Sequence, residues 1–335
     1  MLLSVSQDVT FCCPSCRGRL VVSPGAYRCA ACERSYPIVV GIPDFRLAPD
    51  PYISLAEEYE KARLLAEEAN RRSFEDLVRF YWDITPDVPR ELAERYISYA
   101  VEGERRGHAY RTEIDTRLKA HLGGEACLDV GCGTGGFLIA ARSRFRRLIG
   151  IDIALRWLVI ARKRLADAGE NATLVCCSAE HLPFPAGTFD AAVCIDVLEH
   201  AQDPQAILMT TARALQPEGV FYIATPNRFS LGPEPCVRVW GVGFLSRSLA
   251  SRYVHRVTGR PYRLIHLLSV FELRRMLARA GLREWSILPG VVPVHHGQSR
   301  FMSTILRVYN ALRQRPIVAR LLLIGGPYLE AVARR

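Results

Sequence analysis

The sequence predicts an α/β protein, a mostly parallel sheet wound with helices, preceded by a small module stapled by metal. Three observations predict it. An apolar strand at 126–130 runs into the turn Gly131-Cys132-Gly133-Thr134-Gly135-Gly136, a helix over 137–144 follows, and a second apolar strand at 147–151 ends in Asp152. Strand, glycine turn, helix and acid-terminated strand make a βαβ unit of the kind that binds nucleotide-type cofactors. Two Cys-x-x-Cys pairs stand near the N-terminus. Finally, 335 residues at 49% hydrophobic content suffice for a full core and more than one module.

The cysteine pairs come first in the chain. Cys13-Pro14-Ser15-Cys16 and Cys29-Ala30-Ala31-Cys32 are separated by twelve residues, and thiolates at that spacing converge tetrahedrally on Zn2+. Four thiolates close the coordination shell, so Cys13, Cys16, Cys29 and Cys32 predict a structural zinc, in a segment too short to fold on its core alone. A redox dithiol suits a lone Cys-x-x-Cys better than two knuckles so close together. Strand-prone residues around Tyr27 and Tyr36, and Gly41 to Phe45, complete a ribbon expected over residues 1–48. Cys12 is a spare. Cys127, Cys132, Cys176, Cys177, Cys194 and Cys236 fall on apolar strands or near the glycine turn, and read as buried thiols.

Eleven cysteines in this pattern argue for thiols and metal instead of a disulfide framework. Met1-Leu2-Leu3-Ser4 lacks the basic start and apolar run of a secretory signal, and no stretch of eighteen apolar residues exists. The expectation is therefore a cytoplasmic protein without a transmembrane segment.

Residues 49–106 read as a helical cap or linker. Leu55 to Phe80 has helical spacing, Pro86 to Pro89 interrupts it, and Arg90 to Val101 continues it. Tyr81, Trp82, Arg105, Arg106, Tyr110 and Arg111 are candidates to reach a ligand from this cap, and packing explains each of them equally well.

The glycine turn admits two readings. Gly131, Gly133 and Gly136 fit G-x-G-x-x-G, the dinucleotide fingerprint; Asp129-x-Gly131-x-Gly133-x-Gly135 fits a loop that binds S-adenosylmethionine. A pyrophosphate at the helix N-terminus would be repelled by Asp129. A sulfonium and an α-ammonium tolerate a nearby acid, so the carboxylate favours the methyl donor.

Further segments carry a family resemblance. Cys177-Ser178-Ala179-Glu180-His181-Leu182-Pro183-Phe184, then Thr188 to His200 ending in Asp196-Val197-Leu198-Glu199-His200, then Leu215 to Asn227, follow the glycine turn in order. Together they resemble the class I S-adenosylmethionine-dependent methyltransferases of the ubiquinone and menaquinone biosynthesis type, over roughly residues 107 to 290 with a last strand at Pro327 to Ala333. Small zinc ribbons occur beside such domains. The resemblance implies a Rossmann-like domain over 107–335 with a seven-stranded, mostly parallel sheet and helices on both faces. It also implies donor contacts from Asp129, Gly131, Cys132, Gly133, Gly135, Asp152, Ile153, Ser178, Ala179, Glu180 and Asp196. Ser178 departs from the pattern, since the family commonly has an acid there. Adenine recognition is then expected from the Ser178 hydroxyl and backbone groups.

Methyl transfer is an in-line displacement, so alignment and desolvation supply much of the rate, and a base is needed only where the acceptor loses a proton. His200 is the first candidate base, with capping or orienting its loop as the alternative. Asp196, Glu199 and His200 also have the i, i+3, i+4 spacing of metal-assisted O-methyltransferases. Asp-Val-Leu-Glu-His resembles many members that need no metal, which disfavours that reading.

Charge separates the C-terminal third. Residues 228–335 hold 18 arginines, no lysine and four acids (Glu234, Glu272, Glu284, Glu330), whereas the first 227 residues hold 26 basic and 30 acidic groups. The basic, partly amphipathic parts lie at about 228–264 and 295–325. In the second, Phe301, Met302, Ile305, Leu306, Val308, Tyr309 and Leu312 form an apolar helical face beside Arg300, Arg307, Arg313 and Arg315, which resumes after Pro316. Such a face suits a membrane surface or a lipid-linked acceptor, and extends the expected location to peripheral contact with the inner membrane surface. Trp240, Tyr253, His255 and Tyr262 are candidates to line an acceptor site; Ser269 and Gly281 bracket a helix. His266 and the pair His295-His296 are more often structural than catalytic. The sequence thus predicts O-methylation of a small or lipid-linked metabolite. Two alternatives remain: an RNA methyltransferase that uses ribbon and arginines to bind phosphates, and a non-catalytic module with a vestigial cofactor fold.

Overall fold

A computed structural model describes residues 9–119, 122–293 and 300–335. The chain forms two compact units, one of residues 1–192 and 213–216, the other of residues 193–212 and 217–335.

The first unit begins with four short strands, β1 (Leu20–Ser23), β2 (Ala26–Cys29), β3 (Ser35–Val39) and β4 (Ile42–Pro43), paired antiparallel in sequence order. Their core is aromatic: Phe45 is fully buried and lies 5.2–5.4 Å, centroid to centroid, from Phe11, Tyr27 and Tyr36. Four helices follow, α1 (Leu55–Glu68), α2 (Phe74–Asp83), α3 (Arg90–Val101) and α4 (Gly103–Leu118). The single helix expected from Leu55 to Phe80 is two. Ser73 ends the run by accepting a hydrogen bond from Asp76 N, an N-cap with Glu75 and Asp76 in the first turn behind it.

The βαβ unit is present as β5 (Gly124–Val130), α5 (Gly136–Ala141) and β6 (Phe145–Asp152), continued by α6 (Leu155–Asp167) and β7 (Thr173–Cys176). β5, β6 and β7 are parallel neighbours. α4 crosses α5 at backbone contact. A Cβ on Gly107 would lie 2.5 Å from Gly136 O, and one on Gly136 would lie 2.4 Å from Gly103 O, so glycine is required at this crossing by space alone. The small-residue spacing Gly103-x-x-x-Gly107 marks the approach.

A buried ionic cluster ties α1 to the start of α6. Arg156 donates to Asp50 Oδ2 (2.9 Å), to Glu58 and to the Tyr81 hydroxyl (3.2 Å), while its backbone N–H meets Glu58 Oε1 at 2.8 Å. Removing one member would strand a buried charge.

The chain continues through β8 (Phe189–Ile195), α7 (Pro204–Ala214) and β9 (Leu215–Pro226). In the second unit α8 (Arg247–Thr258), α9 (Val270–Arg279), β10 (Arg283–Pro289), α10 (Arg300–Leu312), α11 (Pro316–Gly325) and β11 (Tyr328–Arg334) follow. β11 runs antiparallel between β9 and β10. The seven-stranded order is β10-β11-β9-β8-β5-β6-β7, a mixed sheet with one reversed strand beside the parallel set. Ser269 caps α9 with Glu272 in a reciprocal capping box, as its position in the sequence predicts.

The insertion after β9 forms a small core of its own, with Val239, Val242, Ala250, Val254 and Tyr262 buried together. Tyr262 therefore belongs to this core, and Trp240 and Tyr253 are exposed, which corrects the expectation that these rings line one acceptor site. α10 and α11 are anchored by polar contacts. Tyr309 donates to Gly290 O (2.8 Å), the Asn310 side chain bonds both backbone groups of Val292, and Asn227 Nδ2 donates to the carbonyls of Leu323, Ile324 and Gly326. No helix among the described residues is long and apolar enough to cross a membrane.

Replacing Gly107 by Ala should destabilise the protein by about 2–3 kcal/mol in urea unfolding. The intrinsic helix preference of Ala, about 1 kcal/mol, acts in the opposite direction. A loss below about 0.5 kcal/mol would contradict backbone contact between α4 and α5.

Candidate functional site

At the C-terminal end of β5 the backbone turns through Gly131, Gly133 and Gly135, all at positive φ. Gly133 has φ +50° and no atom within 4 Å of where its Cβ would stand, so the turn leaves open space at its tip. Backbone bonds fix the turn to the next strand: Cys132 N donates to Ile151 O (2.8 Å) and Gly135 N to Cys132 O (2.8 Å). This is the edge of a parallel sheet at which α/β proteins bind ligands.

Two carboxyl groups dominate the electrostatics. Asp129 is 4% exposed, and its Oδ2 has no hydrogen-bond partner within the protein. Burial, and then the neighbouring Asp152, push its pKa up to about 8. Asp152 accepts from Gly133 N at Oδ2 (2.9 Å) and from Ala154 N at Oδ1 (2.8 Å). Burial outweighs these bonds and raises its pKa to about 6. An orphaned buried carboxyl oxygen calls for a cationic or N–H donor, and each Asp152 oxygen retains a lone pair for a hydroxyl. The pair fits the ammonium and ribose of S-adenosylmethionine, and opposes a pyrophosphate.

The remaining expected donor contacts in this unit lie on adjacent loops. Ile153 follows Asp152, and its carbonyl accepts from Arg46 Nη1 (3.0 Å). Ser178 leads into the single turn Ala179–His181, and its hydroxyl donates to the Glu180 carboxylate.

Asp196 and His200 belong to the second unit. Asp196 ends β8 in the left-handed region (φ +57°), its N–H bonded to Ala224 O at 3.0 Å. A non-glycine residue there costs about 1–2 kcal/mol. Glu199 is buried and accepts from Thr225 Oγ1 (3.1 Å), while its carbonyl accepts from His266 N (2.6 Å). Burial and then Asp196 drive its carboxyl well above the usual range. The His200 side chain is 40% exposed, and partial burial lowers its pKa from the ordinary imidazole value. His295 and His296 lie outside the described residues.

The four cysteine sulfurs of the ribbon lie within 4.8 Å of one another, with Cys13–Cys32 at 3.7 Å and Cys16–Cys29 at 3.4 Å. A tetrahedral zinc with Zn–S near 2.3 Å needs sulfurs about 3.8 Å apart. Backbone N–H groups point at the sulfurs, Gly18 at Cys16 (3.4 Å), Ala31 at Cys29 (3.4 Å) and Cys32 at Cys29 (3.5 Å), and such donors favour thiolates. The set fits a closed structural Zn2+ site.

Other expected contacts are taken up in packing. Tyr81 and Trp82 pack with Trp157, Arg105 pairs with Glu102, Arg106 covers the Tyr99 ring, and Arg111 donates to Ala140 O. Sequence reasoning missed Arg17, Arg46 and Arg156, whose partners are far along the chain. The positions before and after them carry no periodic signal that would single them out.

Comparison with known proteins gives the family. Residues 128–223 match a methyltransferase domain family. A ubiquinone biosynthesis O-methyltransferase of Idiomarina loihiensis is 33% identical over 168 residues, 50% of this chain and 65% of that one. Its counterpart in Thiobacillus denitrificans is 31% identical over 172 residues, 50% of this chain and 68% of that one. The chain thus spans about two thirds of the length of these relatives. A solved phosphoethanolamine N-methyltransferase 2 of Haemonchus contortus overlaps 68% of this chain and 52% of its own, at 19% identity and a TM-score of 0.46.

With its pKa near 8, Asp129 holds a proton at pH 7 in the free protein, whereas a bound cation favours the carboxylate. Folding stability of the free protein should fall as pH rises from about 4 toward 8, because the unfolded chain loses this proton first. Calorimetric titration with S-adenosylhomocysteine at pH 7 should show proton release, read from buffers of different ionisation enthalpy. Asp129→Asn should abolish the release and weaken binding about 10- to 100-fold. An unchanged proton count would contradict the role of this carboxyl.

Proposed function

We propose that this chain, which belongs to the class I S-adenosylmethionine-dependent methyltransferases, transfers the donor methyl group to an oxygen of a small or lipid-linked acceptor. The observation that carries the donor half is the buried, orphaned oxygen of Asp129 beside the open tip of the glycine turn. Oxygen as the methylated atom, and a metabolite as acceptor, are taken from the names of the ubiquinone biosynthesis O-methyltransferases it is similar to.

When bound, S-adenosylmethionine supplies an electrophilic methyl group on a positively charged sulfur. Asp129 would hold its ammonium, Asp152 would accept from the ribose hydroxyls, and Ile153 with Ser178, Ala179 and Glu180 would surround the base. The glycine turn, with Gly131, Cys132, Gly133 and Gly135, brings backbone close to the donor. His200, whose burial favours the uncharged imidazole, would take the proton that the acceptor hydroxyl loses as its oxygen displaces the sulfur at the methyl carbon; the carbon–sulfur bond breaks and the neutral thioether leaves. Asp196 is a further donor contact at a strained strand end.

The apolar face of α10 and α11 supports a lipid-linked acceptor reached at an anionic membrane surface. Phe301 is 74% and Ile317 79% exposed, with Ile305, Val308, Leu321 and Ile324 also exposed. Arg300, Arg307, Arg315 and Arg320 accompany them, and no acid stands between Glu284 and Glu330. Apolar burial and attraction to anionic lipid then act together.

His200→Ala should lower kcat about 100-fold or more, with donor affinity unchanged. In the wild type, kcat/KM should fall on acidification with a midpoint on the acid side of an ordinary imidazole, and the variant should lose that limb. An unaltered pH profile would remove His200 from the proton path. For the surface, flotation with phosphatidylglycerol vesicles should recover the protein. The double variant Phe301→Glu/Ile317→Glu should stay in the dense fraction, and equal flotation of both would refute this face as the contact.

A further inference from the structure

The ribbon grips the loops on which the donor site is built. Arg17 donates from Nη1 to Leu182 O (2.6 Å) and from Nη2 to Phe184 O (2.5 Å), and Cys12 N donates to Pro183 O (2.9 Å) between them. The three consecutive carbonyls of 182–184 are therefore all held by residues of the first zinc knuckle or its immediate neighbour. Phe11 adds an aromatic contact to Phe184, with centroids 5.8 Å apart.

The same module holds the neighbouring strand ends. Phe45 N donates to Cys176 O (2.7 Å), and Asp44 bridges Cys176 in parallel, so the ribbon continues the sheet past its edge strand β7. Arg46, fixed by two bonds to Asp44 (2.9 and 2.6 Å), donates to Ile153 O. At the start of the 177–184 loop, Cys177 N donates to Asp152 O (3.0 Å), and Asp152 in turn holds Gly133 N (2.9 Å). Ribbon, loop 177–184, Asp152 and glycine turn form one hydrogen-bonded chain.

The backbone at Arg17 adds an independent observation. It sits at φ +66°, directly after Cys16, in the left-handed region where glycine is unstrained and arginine is not. The matching residue of the second knuckle, Glu33 at φ +59°, carries an exposed side chain that faces only Arg28, at 4.0 Å. At the first knuckle an arginine occupies a glycine-type position, and its guanidinium spans to two carbonyls of the loop.

We propose that Arg17 is a positioning residue for donor binding. The zinc knuckle holds the arginine, and the arginine holds loop 177–184 in the shape that receives the nucleoside end of the donor. The proposal rests on the reading of the chain as an S-adenosylmethionine-dependent enzyme. It makes the ribbon part of the donor site, not an appended module.

The test uses the full-length zinc-loaded protein and the variant Arg17→Gly, which deletes the guanidinium while relieving the backbone. Zinc content is measured directly, and S-adenosylhomocysteine and methylthioadenosine, which lacks the amino-acid end, are titrated by calorimetry. The variant should retain one zinc per chain. Its affinity for both ligands should fall at least about fivefold, because fewer molecules hold the competent loop. Arg17→Lys, which reaches one carbonyl, should recover part of the loss. Retained zinc with affinities within about twofold of wild type would overturn the proposal. Should Arg17→Gly shed zinc, Arg17→Asn, which also tolerates the left-handed backbone, repeats the test; zinc loss in both would assign Arg17 to the ribbon alone and overturn the proposal. Failure of the wild type itself to bind S-adenosylhomocysteine would instead overturn the methyltransferase reading, and the clamp with it.

Discussion

Two carboxyl groups, one buried and one half-buried, at the C-terminal ends of adjacent parallel strands set the chemistry of this protein. Burial raises the cost of ionising both, Asp152 adds to that of Asp129, and Arg156 offsets part of it at Asp152. Parallel pairing of β5 with β6 fixes their separation, and the turn between them leaves open space at Gly133. A site that gains its second negative charge when a cation binds selects for a positively charged, hydroxyl-bearing ligand and against phosphate. The rest of the first unit can be understood as the apparatus that keeps these strand ends in place.

Much of that apparatus lies outside the βαβ unit. Glu58 on α1 and Asp50 reach Arg156 at the start of α6, and Asp44 with Arg46 reaches Ile153 directly after Asp152. Buried ion pairs of this kind add little net stability compared with apolar packing, and they do demand one arrangement. The glycine crossing of α4 over α5 acts likewise by steric exclusion, since Gly103, Gly107 and Gly136 permit no other spacing. The cysteine cluster extends the scheme to the N-terminus, where zinc held by four thiolates would reinforce the small aromatic core around Phe45.

Local chemistry was legible in the sequence, and long-range partnership was not. The glycine turn, Asp129 and Asp152 announced themselves because strand, turn and helix are contiguous. The four cysteines did so because metal geometry constrains spacing. Ser269 was readable as a cap, yet Ser73 passed unnoticed inside a helical pattern that continues on both sides of it. Arg17 looks like any exposed arginine until the 165 residues separating it from Leu182 are folded away. Trp240, Tyr253 and Tyr262 resembled a ligand-lining set by composition, and their real division between a local core and the surface depends on packing that spacing does not encode.

The central claim is that the paired carboxyls make this a methyl-donor site and not a dinucleotide site. Parallel calorimetric titrations with S-adenosylhomocysteine and with NAD+ at pH 8, on one preparation of the full-length protein, test it most directly. Saturable binding of S-adenosylhomocysteine at one site per chain, with no heat from NAD+, is the predicted result. Binding of NAD+ at the same site, or absence of S-adenosylhomocysteine binding by the folded protein, would contradict it.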